Sequence, residues 1–492
     1  MYEKLKELTK DTAVYGISTM VGRFLNFILV PFYTNVFHPA DYGIIQLIYA
    51  YVAILNIVFI YGMDSAYLKF ASLKELGDDK DNFSTPYISV FVTSLLFSLL
   101  IIINQHAINY ELGIPDNLNY LILLASGMLF LDANTVIPFL KLRLNRQAKK
   151  FSFLKIIQIS VNIFLNFYLV LNLGWGIEAI LVSNLIASAI ALLLLIPDII
   201  KYFRLKLNNT LYKRLLKFGL PYLPAGLAIM VVQVIDVPIL EKLTDLETVG
   251  IYKANYKLGI FMMLYVNMFQ YAWQPFFLHN AKEENAKEMF SKVLTYFTLI
   301  GSVILVSLSL FITDLAMLKV NGFSLIGSMY WEGLHIVPII LLAFLLNGLH
   351  IIFSAGIYIE EKSIYVPVIA GAGAITNVIV NFSLIPVLNI TGAAFATLAS
   401  YFVLAAGYYF VTQKFYKINY EMGRIVKIFS GVFLIGVIYY LLLMTNNLEL
   451  IYKIILLLAF IAYLYFIAVD KREINSIRTK LLERKKSGSG LH

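Results

Sequence analysis

Lys253 and Lys257 stand four residues apart in a stretch that is otherwise mostly apolar. On a helix that spacing puts both ammonium groups on one face, about 6 Å apart along the axis. Like charges so placed repel, and an anion held between or beside them relieves the repulsion. Arg23, in a second apolar stretch, supplies a guanidinium that can grip an oxyanion through two parallel hydrogen bonds. Each has a structural alternative. Asp236 can pair with Lys253, which leaves Lys257 as the cation without an obvious partner, and Arg23 can pair with a carboxylate. Asp64, Asp132 and Lys155 read as gating charges or structural ion pairs rather than as an ion site. His335 and His350 read as interfacial packing, and Glu178, Glu360 and Glu361 as interfacial charges.

These groups matter because of where they lie. The chain has 492 residues, 60% hydrophobic and 14% charged, with a mean hydropathy of +0.78. Soluble domains run at about 45–50% apolar and about 25% charged, and here the excess is spread along the whole length. A spanning helix needs roughly 20 mostly apolar residues. Candidate spans fall at 12–37, 42–68, 84–106, 117–140, 151–172, 177–198, 214–240, 248–277, 290–315, 331–357, 363–386, 391–412, 423–444 and 449–469. The expected fold is an all-α polytopic membrane protein of about fourteen transmembrane helices. An ionisable group at the centre of such a helix costs about 2.5–3.5 kcal/mol on insertion scales, so it should face a cavity or a partner.

With the N-terminus placed in the cytoplasm, 32 of the 39 Lys and Arg residues fall on the cytoplasmic side; outer loops hold only Lys242 and Lys319. That asymmetry sets the orientation under the positive-inside rule and puts both termini inside. The basic excess is therefore a feature facing anionic lipid, not a nucleic-acid surface. The absence of cysteine excludes disulfides and thiol chemistry. No GxxxxGK[ST] pattern occurs, so ATP is not the direct energy source. No metal-ligand cluster and no cofactor motif stands out. No cleavable signal peptide is expected, and Ser487–His492 reads as an appended cloning remnant.

The chain also repeats itself. Pro31–Gly43 (PFYTNVFHPADYG) and Pro238–Gly250 (PILEKLTDLETVG) each carry Pro and then Gly twelve residues on, at an offset of 207. Asn162 and Asn166 before Gly176 correspond to Asn377 and Asn381 before Gly392. For the asparagines, helix–helix hydrogen bonding is the better reading. Six spans return the chain to its starting side, so the repeats are parallel, as in some transporters. The expected organisation is a first lobe at 1–200, a basic cytoplasmic linker at 201–213 and a second lobe at 214–418. Two extra helices with a basic tail follow at 419–486, and then the remnant at 487–492.

The stretch Leu8–Leu47 resembles the start of bacterial polysaccharide-biosynthesis membrane proteins, the lipid-linked oligosaccharide flippases of the multidrug/oligosaccharidyl-lipid/polysaccharide exporter superfamily. Phe218-Gly219-Leu220-Pro221, Asp236, Val249-Gly250-Ile251-Tyr252, Lys257 and Thr391-Gly392-Ala393-Ala394 are similar to the start of that family's second lobe and its later motif. The resemblance covers nearly the whole chain. It implies a monomeric flippase in the bacterial inner membrane. Its implied substrate is an undecaprenyl-diphosphate-linked glycan, moved to the outer leaflet by alternating access and coupled to H+ or Na+.

With that substrate the basic residues acquire a ligand. The diphosphate falls to Lys257, to Lys253 in part and to Arg23, while Gln270, Trp273 and Gln274 offer contacts for sugar. Arg23 lies about 16 Å from the inner surface and Lys257 about 14 Å from the outer one. In a hydrocarbon core about 30 Å thick the two depths nearly coincide, as halves of a split anion site would. Other functions stay open: a drug or cation antiporter of the same superfamily, a membrane glycosyltransferase or polymerase, and a non-transporting scaffold. An antiporter for cations should carry an acidic cavity, and the mid-depth charges here are basic. A transferase generally needs sizeable outer loops, and those here are short. A scaffold has no need of buried like charges.

Overall fold

The computed structural model describes residues 27–73, 77–320, 322–445 and 449–467. Within them the chain is almost entirely helical. The helices are α1 (Phe27–Val36), α2 (Pro39–Ile60), α3 (Met63–Leu73), α4 (Asp79–Ile103), α5 (Gln105–Glu111), α6 (Tyr120–Leu144), α7 (Ala148–Phe167), α8 (Glu178–Tyr202), α9 (Asn209–Gly219) and α10 (Tyr222–Val234). They continue as α11 (Asp236–Leu243), α12 (Leu246–Tyr256), α13 (Ile260–Asn280), α14 (Ala286–Met317), α15 (Val337–Ile359), α16 (Tyr365–Leu388), α17 (Ile390–Phe415), α18 (Met422–Met444) and α19 (Leu450–Ile467). Among the described residues ten helical segments are long and apolar enough to cross a membrane, and α9 with α10, bent by 41°, makes an eleventh. Every later expected span coincides with one helix or with consecutive short ones; of the span expected at 12–37, only the part from Phe27 is described.

Where an expected span is broken, the sequence supplies the cause. The segment 42–68 divides at Tyr61 (φ 38°) and Gly62 (φ 75°), a left-handed turn that costs a residue with a Cβ roughly 1–2 kcal/mol. The segment 248–277 divides at Lys257–Gly259, where one turn tightens to a 3-10 helix. Such a turn within a helix often marks a functional hinge. α2 starts cleanly, with Pro39 in its first turn and the His38 ring accepting from the Ala40 N–H.

The helices pack as two groups. α2, α4, α6, α7 and α8 form the first, and α10, α11 and α13–α17 the second. They meet along one seam, where α2 packs on α10, α11 and α12, and α9 packs on α3 and α4. α18 and α19 lie on α14 over a small separate core of Val306, Leu310, Ile428, Ile435, Leu456, Phe460 and Leu464. Lys453 adds an ion pair to Asp314 at 2.5 Å.

The stretch joining the two groups is strapped down. Arg204 pairs with Asp81 and, at 3.2 Å, with Asp78. The Arg204 and Asn208 N–H groups donate to the Ser84 and Thr85 hydroxyls at 2.7 and 3.2 Å. The Asp81 N–H, donating at 2.7 Å, holds the exposed Asp78 carboxyl below the usual carboxylate range, with Arg204 adding to the effect.

Candidate functional site

The repeat glycines lie against each other across the seam. A Cβ on Gly43 would come within 1.8 Å of the Leu246 carbonyl oxygen, and one on Gly250 within 1.9 Å of the Pro39 carbonyl oxygen. Pro39 to Leu246 and Gly43 to Gly250 are both steps of 207, so the contact is reciprocal under the repeat. Only a residue without a side chain lets the α2 and α12 backbones come so near. A second closure lies further along the seam. There a Cβ on Gly62 would meet the Gly219 carbonyl oxygen at 2.1 Å, and the Lys69 ammonium sits 4.0 Å over the Phe218 ring.

Lys257 points into the seam. Its ammonium donates to the Tyr42 hydroxyl at 2.9 Å and lies 5.2 Å from that ring's centre. Among the described residues no carboxylate comes within ion-pair distance of it. Lys257 lines a cavity of about 280 Å³ with Phe27 and Val30 from α1, Tyr256, Ile260 and Met263, and Phe344 from α15. The cavity thus lies between α1, the end of α12, the start of α13 and α15. It falls just below the ~300–1,000 Å³ of pockets that enclose small ligands.

Lys253 is buried, with its ammonium 4.2 Å over the Tyr256 ring. The pairing with Asp236 considered from sequence is not made. Asp236, also buried, accepts from the Tyr252 hydroxyl at 2.5 Å and from the Val237 N–H at 3.1 Å. Tyr252, one position before Lys253, takes the carboxylate instead. The repeat asparagines of α16 pair with α10 and with each other. The Asn377 amide donates to the Val232 carbonyl at 3.4 Å, and Asn381 donates to the Asn377 side-chain oxygen at 2.6 Å. The Asn381 side-chain oxygen is buried without a hydrogen-bond partner, and Thr397 donates to the Ala393 carbonyl at 3.3 Å. Among the described residues no group of three or more His, Cys, Asp or Glu could hold a metal.

The other expected residues divide. Trp273 is buried between α13 and α14, within 5.3–5.8 Å of Phe269, Phe276, Phe277 and Phe290 ring to ring, and its indole N–H has no hydrogen-bond partner. It does not line the Lys257 cavity, and Gln270 lies exposed on α13 away from that lining. Asp132 and Lys155 share one network without direct contact. Lys155 donates to Gln158 at 3.1 Å, Gln158 to Ser188 at 3.5 Å and Ser188 to Asp132 at 2.6 Å. Asp64 is partly buried in the first turn of α3 with no ion pair among the described residues. Arg23 lies outside the described residues.

Sequence reasoning missed the first group's side of the site. Tyr42 is fully buried and stacks edge-on against Tyr330 at 5.9 Å. The segment between α14 and α15, with its short hairpin Lys319–Val320/Phe323–Ser324, clasps the end of α1. Asn35 donates to the Ser324 carbonyl at 2.7 Å and accepts from its N–H at 3.2 Å; the Gly327 N–H donates to Thr34 at 3.0 Å, and the Tyr330 hydroxyl to the Phe37 carbonyl at 2.9 Å. The repeat Pro31–Gly43 was the one signal pointing at this region.

Known folds give the arrangement a context. The structure is similar to the lipid II flippase MurJ in an inward closed conformation, with 16% identity and a TM-score of 0.73 over 94% of this chain and 99% of that one. It is similar to an inward-facing multidrug resistance MATE family transporter of the MOP superfamily, with 13% identity and a TM-score of 0.65 over 80% and 94%. A MOP superfamily transporter from Pyrococcus furiosus, described as having a binding pocket of reverse polarity, aligns at 13% identity and a TM-score of 0.56 over 82% and 95%. No curated protein matches the chain. The sequence itself is more specific than these folds. Residues 8–281, which carry the first helix group, the strapped linker, both repeat glycines and Lys257, match the model of a single family, and the chain belongs to it: the polysaccharide biosynthesis protein family.

Proposed function

We propose that the chain is a flippase that moves an undecaprenyl-diphosphate-linked oligosaccharide from the cytoplasmic to the outer leaflet of a bacterial inner membrane. The observation that carries this reading is Lys257, a cation in a seam cavity whose only described hydrogen-bond partner is an uncharged phenol. An ammonium at membrane depth calls for an anion, and a diphosphate supplies one. In this reading the Pro39 end of the seam faces outward, both termini face the cytoplasm and Arg23 completes the anion site from the first helix group. The two helix groups rock about the seam while the lipid tail stays in the bilayer. The buried carboxylate of Asp236 supports a coupling cation, H+ or Na+, kept apart from the anion site.

The test is Lys257→Ala, read by complementation in cells and by binding of undecaprenyl diphosphate to purified protein. Transport should be lost and binding weakened by about tenfold or more, with expression maintained. Lys257→Arg should keep part of both, because it retains the charge. Wild-type transport and binding in Lys257→Ala would overturn the proposal.

A further inference from the structure

We infer that Tyr42 is an internal stand-in for the substrate's anion: its hydroxyl holds Lys257 while the cavity is empty, and the anion displaces it to release the seam. The inference rests on the flippase reading and adds the residue that couples binding to opening. Tyr42 comes from α2 in the first helix group and Lys257 from the start of the second group's α13 turn, so their 2.9 Å hydrogen bond crosses the surfaces that must part. The bond sits beside the Gly43 contact, where α2 and α12 already touch backbone to backbone. It is also tied to the clasp over α1, because the Tyr42 ring packs edge-on against Tyr330 at 5.9 Å and Tyr330 donates to the Phe37 carbonyl.

The chemistry explains why displacement runs one way. A phenol oxygen and a ring face satisfy an ammonium adequately, but both are neutral partners. Phosphate oxygens form charge-assisted hydrogen bonds roughly twice as strong as neutral ones. An anion entering the cavity therefore takes the ammonium from Tyr42. The first group then loses its polar hold on the second at the point where a side chain joins seam to clasp. A ligand shifts a conformational equilibrium only through such a difference in interaction between states. An apolar or cationic molecule in the same cavity has no means of displacing Tyr42 and leaves the seam shut. Selectivity for an anion and opening of the seam thus reside in one hydrogen bond.

The experiment uses the full chain with inorganic pyrophosphate as the probe. Binding is measured for the wild type, Tyr42→Phe and Lys257→Ala. Release is followed at the clasp, which Tyr42 joins to the seam through Tyr330, as disulfide formation between cysteines placed at Asn35 and Ser324. In the wild type, pyrophosphate should bind and lower the cross-linking yield. Tyr42→Phe keeps the ring and removes the competitor. It should bind pyrophosphate roughly 3- to 10-fold more tightly, as expected for one net hydrogen bond. Its cross-linking yield should be low with or without the probe. A residue that served only to hold the fold would weaken binding when altered. If Lys257→Ala loses binding while Tyr42→Phe binds no more tightly, the inference is overturned and the flippase reading stands. If the wild type fails to bind, or Lys257→Ala binds like the wild type, both are overturned.

Discussion

The Tyr252 hydroxyl donates to the Asp236 carboxylate at 2.5 Å, in a pocket where both side chains are buried. Asp236→Ala should leave that hydroxyl unsatisfied and cost about 1–3 kcal/mol of stability. Asp236→Asn keeps an acceptor and should cost less. If the pocket takes a cation, sodium should raise the unfolding temperature of the wild type in detergent relative to choline, and Asp236→Asn should lose that increment. Equal increments in the two proteins would remove the cation from this pocket.

The reciprocal glycine contact gives a steric prediction. Gly43→Ala or Gly250→Ala places a methyl where a carbonyl oxygen lies within 2 Å, so α2 and α12 must separate. Either variant should hold the Pro39 end open. The measure is thiol labelling of a cysteine introduced at Val249, which is fully buried in the closed seam. Faster labelling in both variants than in the wild-type background is expected, and unchanged labelling would mean that the seam absorbs the methyl in some other way.

The clasp over α1 can be locked. The chain has no cysteine, so Asn35→Cys with Ser324→Cys gives a clean pair. The two residues already share three hydrogen bonds. Oxidation should link them and stop transport, and a reductant should restore it. Full transport by the oxidised, cross-linked protein would show that this segment does not part from α1 in the cycle.

Much of the architecture was legible in the sequence because crossing a bilayer leaves a long apolar signature. The repeat was legible too, since Gly43 and Gly250 must both be glycine for the backbones to touch. Position along a helix can also be counted from the sequence. What counting leaves open is the angle around the helix axis. Lys253 and Tyr252 differ by one residue, and that step gives Tyr252 the carboxylate and turns Lys253 onto Tyr256. Trp273 shows the same gap: a composition rich in aromatic residues on every face does not say which side meets α14. Tyr42 lies 215 residues from Lys257, and nothing local in either segment announces the other.

The small core beneath α18 and α19 has a consequence for how the molecule is built. These helices touch the rest chiefly through α14, and their outward faces are apolar, with Phe433 and Phe466 more than two-thirds exposed. In water, stripping away such a pair would uncover a greasy scar. In a bilayer, lipid tails are as apolar as the side chains they replace, so the uncovered flank of α14 is simply solvated by hydrocarbon. The pair is therefore an annex rather than a foundation. The remaining helices can do without it structurally, and its sequence is free to drift wherever the bilayer alone is its neighbour.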